Sequence, residues 1–117
     1  MQQTDLEERL IEFADLIIEL SESLPATKAA NHLSSQLIRS GTAPALNYGE
    51  AQAAESKQDF LHKIKIVLKE LRETQINLKI IARRRFLLPA FEKKALDECG
   101  QLVAIFTKTV ETTKRNM

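Results

Sequence analysis

Cysteine, aromatic residues, glycine and proline are all scarce in this chain of 117 residues. The single cysteine, Cys99, excludes an intrachain disulfide and any cysteine-based zinc cluster. It stands among helix-forming residues and reads as a buried, inert thiol rather than a nucleophile. Tryptophan is absent and aromatics make up only 5% of the chain, which weakens any case for base-stacking platforms. Three Gly and three Pro leave few breakers, so helices can run long. Strand signals are missing as well, with no alternating runs bounded by Asn-Gly or Gly-Asn turns. No apolar run approaches the ~20 residues that span a bilayer. The start, MQQTDLEERL, is acidic and amphipathic, unlike the basic n-region and apolar run of a signal peptide. A cytoplasmic protein with no membrane partner is expected.

Catalytic motifs are missing too. There is no Walker loop, dinucleotide-binding glycine fingerprint, nucleophile elbow or HExxH. Helical bundles can hold two metals through paired ExxH motifs. Here Ala29 stands three residues before His32, and Asp59-x-x-His62 is one near miss. One carboxylate and one imidazole do not fill a site, so neither a metal nor a cofactor is expected, and the chain does not read as an enzyme.

What is present is helical periodicity. The length suits a single domain spanning 1–117, built around one core. Helices are expected at about 5–22, 26–54, 57–84 and 89–113, in an all-α, antiparallel up-down-up-down four-helix bundle. Thr4 and Glu7 have the spacing of a capping box. Leu6, Leu10, Phe13, Ile17, Leu20 and Leu24 follow as a heptad-like seam, with Ile11, Ala14 and Ile18 as a second row. Pro25 ends that helix. Ala30, Leu33 and Leu37 form the inner row of the second. Pro44 lacks an amide hydrogen and its ring opposes the Ser40 carbonyl, so the second helix is expected to be kinked or briefly broken near Ser40–Pro44. An alternative is that Thr42 caps a new segment there. Ser56 and Asp59 cap the third helix, whose core row is Phe60, Ile64, Val67, Leu71 and Leu78. Ile66, Ile76 and Ile80 fall on its other side. Pro89 opens the fourth, which carries Phe91, Ala95, Cys99, Leu102, Ile105, Phe106 and Val110 inward.

Charge is unevenly spread although the net charge is only +1. Arg9, Lys28 and Arg39 are the only cations before Lys57, whereas Asp and Glu recur along the first helix. The second half is basic. Lys79, Arg83, Arg84, Arg85, Lys93 and Lys94 surround the turn between the third and fourth helices. They carry two readings: a patch that neutralises nucleic-acid phosphates, or helix-end electrostatics combined with pairing to the acidic first helix. Asn47 and Glu50 also carry two, a binding pair or a polar network that serves the backbone near Pro44.

The residues Gln36-Leu37, Arg39-Ser40, Thr42, Asn47, Glu50-Ala51, Ser56-Lys57, Asp59-Phe60, Lys63, Lys69-Glu70 and Glu73 are similar to the pattern of the four-helix bundle protein family, also called the 23S rRNA intervening-sequence protein family. The match is specific from Leu24 to Glu73. Ala43-Pro44 and Ile76-Asn77-Leu78 depart from it. The resemblance implies an antiparallel four-helix bundle assembled as a ring-shaped homopentamer. It casts Arg39, Asn47 and Glu50 as structural polar residues, and gives Ile11, Ile18, Ile66, Ile76 and Ile80 a use as subunit contacts. Some members lie in spacers of ribosomal RNA genes, and a distantly similar accessory protein of diversity-generating retroelements binds a reverse transcriptase and nucleic acid. The expected function is therefore a non-enzymatic, self-associating bundle that scaffolds RNA, DNA or a nucleoprotein complex. The alternative is a protein-binding adaptor with no nucleic-acid contact.

Overall fold

A computed structural model describes residues 3–117, with side chains from Asp5 onward. The capping box expected at Thr4 depends on a side chain outside the described residues. The chain forms α1 (Gln3–Glu22), α2 (Lys28–Gln52), α3 (Lys57–Arg83) and α4 (Pro89–Arg115). At about 1.5 Å per residue, helices of this length suit a rod 46 Å long and 22 by 21 Å across. Each helix packs against the next in sequence, and α1 closes the bundle against α4 through the thinnest of the four seams. Helices α1 and α3 stand diagonally, with no close backbone contact, and so do α2 and α4.

Local chemistry sets the boundaries. Thr27 caps α2, its hydroxyl accepting from the Ala30 amide, and Ser56 caps α3 by accepting from the Asp59 amide. Leu88 precedes Pro89 without a side-chain cap, and proline suits the first position because it has no amide hydrogen to leave unsatisfied there. Arg85, at φ 57°, makes the left-handed turn between α3 and α4.

Apolar spacing sets the core. Leu10, Phe13, Ile17 and Leu20 of α1 are buried with Leu37 of α2, Ile64, Val67, Leu71, Leu78 and Ile81 of α3, and Leu102 and Phe106 of α4. Tyr48 reaches across the diagonal to meet Phe106 edge to face, with ring centroids 5.6 Å apart. Desolvation raises the pKa of its phenol.

At Ser40–Pro44, α2 runs on without a break. Pro44 is buried inside it, and Thr42 does not cap a new segment: its hydroxyl donates back to the Ile38 carbonyl at 2.7 Å. Burial of Ser40, Gly41 and Pro44 against neighbouring helices outweighs the local cost of the proline, the usual way tertiary packing overrides propensity.

At Gly41, α2 lies tight against α1. A β-carbon placed there would lie 2.6 Å from Ile17 Cγ2. At Gly49 nothing lies within 4 Å of the same position. The two glycines therefore predict opposite outcomes in chemical denaturation. Gly41→Ala should lower stability by about 1–3 kcal/mol through overpacking. Gly49→Ala should raise it by about 0.5–1 kcal/mol, because alanine is the better helix former.

Candidate nucleic-acid interface and outward faces

The polar residues of the motif lace α2 to α3. The guanidinium of Arg39 donates to Glu70 at 3.0 Å and to Glu73, and both carboxylates hold its pKa above the ordinary value, the hydrogen bond to Glu73 being the largest single cause. Further along α2, Glu50 pairs with Lys63 at 2.9 Å. As the α2 number rises the α3 number falls, which is the antiparallel register. One residue after Arg39, Ser40 is fully buried and shares a 2.9 Å hydrogen bond with the hydroxyl of buried Thr74. Thr74 also donates to the Glu70 carbonyl at 2.8 Å. Asn47 donates to the Ala43 carbonyl of its own helix at 3.0 Å. Asn47 and Glu50 therefore do not converge: one serves the backbone of α2 and the other an exposed ion pair.

On the other side, Arg9 grips Glu98 in a two-pronged contact, both distances 2.8 Å, and reaches Gln101 at 2.8 Å. This is the only ion pair made by α1 among the described residues. It runs opposite to expectation, with the cation on the acidic helix. Glu8, Glu12, Asp15, Glu19 and Glu22 face solvent instead of pairing with basic helices.

The six basic residues around the α3–α4 turn do not form one surface. Lys79, Arg83 and Arg84 line a groove of about 290 Å³ on the outer face of α3, with Ile76 and Ile80. Arg85 is exposed in the adjoining turn, and the Arg84 guanidinium lies 5.7 Å from the centre of the Phe86 ring. None of these four cations has an ion-pair partner among the described residues. Lys93 is held by Asp97 at 2.8 Å, which raises its pKa. Lys94 lies in a different groove, between α1 and α4, beside Glu12, Asp97 and Glu98.

A longer cationic strip lies on α3 itself. Lys65, Lys69 and Arg72 line an open depression of about 890 Å³ that continues to Ile76, with Leu68 and Val110 in its floor, Lys114 of α4 at its edge, and the carboxylates Glu73 and Glu111 also in its lining. The run Lys65, Lys69, Arg72, Ile76, Lys79, Arg83 advances by alternating steps of four and three and is exposed at every position. That spacing is visible in the sequence, on the face opposite the core row. Of the outward isoleucines, Ile11, Ile18, Ile76 and Ile80 are 47%, 38%, 56% and 44% exposed. Ile66 is half-buried and stands apart from Ile76 and Ile80, toward the flank that carries Glu70 and Glu73.

Among the described residues, no three His, Cys, Asp or Glu side chains cluster to hold a metal ion, and no helix is long and apolar enough to cross a membrane. Cys99 is fully buried and its thiol donates to the Leu71 carbonyl at 3.4 Å. Desolvation pushes its pKa up to about 12.

A family model described as 23S rRNA-intervening sequence protein matches residues 2–108. The chain is similar to the crystal structure of a protein of unknown function from the S23 ribosomal protein family of Bacteroides thetaiotaomicron. Identity is 26% and the TM-score 0.86, over 95% of this chain and 99% of that one. No curated protein matches the chain. Neither the family nor the solved relative is described as enzymatic.

Two predictions concern the buried polar groups. Thr74→Val strands the Ser40 hydroxyl and should cost about 1–3 kcal/mol. Adding Ser40→Ala should recover most of that loss, so a double-mutant cycle by denaturation will show strong coupling. Cys99 should resist alkylation in the native protein and react only on unfolding. Its linkage runs downward with pH. Above the ordinary thiol value of 9.0 the unfolded chain loses a proton that the folded chain keeps, so this contribution to stability declines as pH rises toward about 12. An alkaline denaturation series, compared with Cys99→Ala, measures it.

Proposed function

From the premise that the chain belongs to the 23S rRNA-intervening sequence protein family, we propose that it is a non-enzymatic, self-associating scaffold in the cytoplasm. Its basic end binds nucleic acid or a nucleoprotein particle. The observation that carries this reading is the cluster of unpaired cations at the end of α3. Lys79, Arg83 and Arg84 share one groove, Arg85 adjoins it, and no carboxylate of the described residues neutralises any of them. Phosphates are the ligands that cations of this kind bind with least regard to sequence, each phosphate neutralised releasing condensed counterions. The family takes its name from 23S rRNA and the similar solved protein belongs to a ribosomal protein family, which supports RNA as the first nucleic acid to try. Self-association is supported by isoleucines left outward on two helices, Ile11 and Ile18 on α1 and Ile76 and Ile80 on α3. The ring-shaped pentamer implied by the family resemblance is the form of assembly to look for.

A second reading, a protein-binding adaptor, is favoured by the outer face of α2, where Ile38 and Leu46 are 37% and 69% exposed.

Titration of labelled RNA and DNA at two ionic strengths separates the two. Binding should weaken steeply with salt. Replacing Arg83, Arg84 and Arg85 by Gln should weaken it uniformly across sequences and reduce the salt slope by about 1 for each phosphate no longer neutralised. Absence of binding at low salt would reject the nucleic-acid reading and leave the adaptor.

A further inference from the structure

Two outward rows of this bundle match each other in spacing, length and chemistry. On α1, Glu8, Ile11, Asp15, Ile18 and Glu22 advance by three, four, three and four residues, and all are exposed. On α3, Lys65, Lys69, Arg72, Ile76 and Lys79 advance by four, three, four and three over the same span, again all exposed. Each row is about 21 Å long. The mean step of 3.5 residues keeps a row facing a partner helix along its length. One row is acidic around two isoleucines, and the other is basic around Ile76. The fold leaves this complementarity unused. Helices α1 and α3 are diagonal, the one ion pair of α1 among the described residues involves Arg9, and no ion pair among those residues involves Lys65, Lys69, Arg72 or Lys79.

We propose that the acidic α1 row of one copy docks on the cationic α3 row of the next copy, which ends at Lys79 and leaves Arg83, Arg84 and Arg85 beyond it for nucleic acid. This rests on the self-association reading above and names the surfaces that carry it. The two faces lie on opposite sides of the bundle, so a pair of copies cannot exchange both contacts. The interface is heterologous, and it extends from copy to copy until the rotation between them closes a ring. Opposed charge sets which faces meet and makes the contact salt-sensitive. The isoleucines supply the apolar centre.

The experiment compares mass by light scattering at low ionic strength for three proteins. They are the full chain, an α1 variant (Glu8→Lys, Asp15→Lys, Glu22→Lys) and an α3 variant (Lys65→Glu, Lys69→Glu, Arg72→Glu). All six positions are exposed, and far-UV circular dichroism checks that each variant stays helical. The wild-type chain should assemble, each variant should run as a monomer, and an equimolar mixture of the two variants should form mixed assemblies of alternating copies, which an odd-numbered ring cannot accommodate. A chain carrying all six changes should assemble as the wild type does. A wild-type assembly that survives in either variant alone overturns this interface but leaves self-association standing. A monomeric wild type overturns both. If the α3 variant keeps its mass and loses RNA binding, the row is a nucleic-acid surface and the proposal fails.

Discussion

Gly41 has no side chain, and that absence lets Ile17 of α1 come within 2.6 Å of where a β-carbon would stand. The residues just before it work with it. Successive side chains on a helix diverge by about a quarter turn or more, so Arg39, Ser40 and Gly41 address different neighbours from one level of α2. Arg39 holds the rim of α3 through Glu70 and Glu73, Ser40 meets Thr74 beneath the surface, and Gly41 receives α1. The buried hydroxyl pair is the stricter of the two α2–α3 links. A surface ion pair tolerates a shift in register, whereas a displaced Thr74 would leave a dry hydroxyl with no partner. With α1, α2 and α3 placed in this way, α4 fills the remaining side through Phe106, Leu102 and Cys99. Its thin seam with α1 is clamped by Arg9 on Glu98.

Much of this is legible in the sequence, and the reasons differ by residue. The seams of α1 and α3 are readable because burial on one face imposes a period of about 3.6. The Ser56 cap is readable because an orphan amide needs an oxygen at fixed spacing. Cys99 is readable as inert from its place among helix-forming residues. Pairings across helices are not. Arg39 and Glu73 are 34 positions apart, and no local pattern tells which of several carboxylates a long guanidinium will reach. Thr74 is polar and so gives no sign of burial, although it occupies a core position of the α3 repeat and is fully buried. Pro44 points to a kink or break through its local cost alone, and packing on neighbouring helices keeps α2 from breaking there.

The basic residues illustrate a different limit. Closeness in sequence suggests a single patch over Lys79–Lys94, but Lys94 lines the groove between α1 and α4 and Lys93 is paired with Asp97. Periodicity is the better guide. The α3 strip follows from counting in steps of three and four on the face away from the core, and it passes through Lys65, Lys69 and Arg72, which lie well before the basic cluster. Local density of charge and continuity of charge on a folded surface are separate properties. In a helical bundle the second depends on which side of the helix each residue occupies.

The edge-to-face contact of Tyr48 with Phe106 has a practical side. The chain has one tyrosine and no tryptophan, so its intrinsic ultraviolet fluorescence comes almost wholly from a phenol that is 5% exposed between α2 and α4. The protein thus carries a built-in optical gauge at the diagonal of its core. That gauge reads the closure of the four helices directly and is shielded from whatever binds on their outer faces.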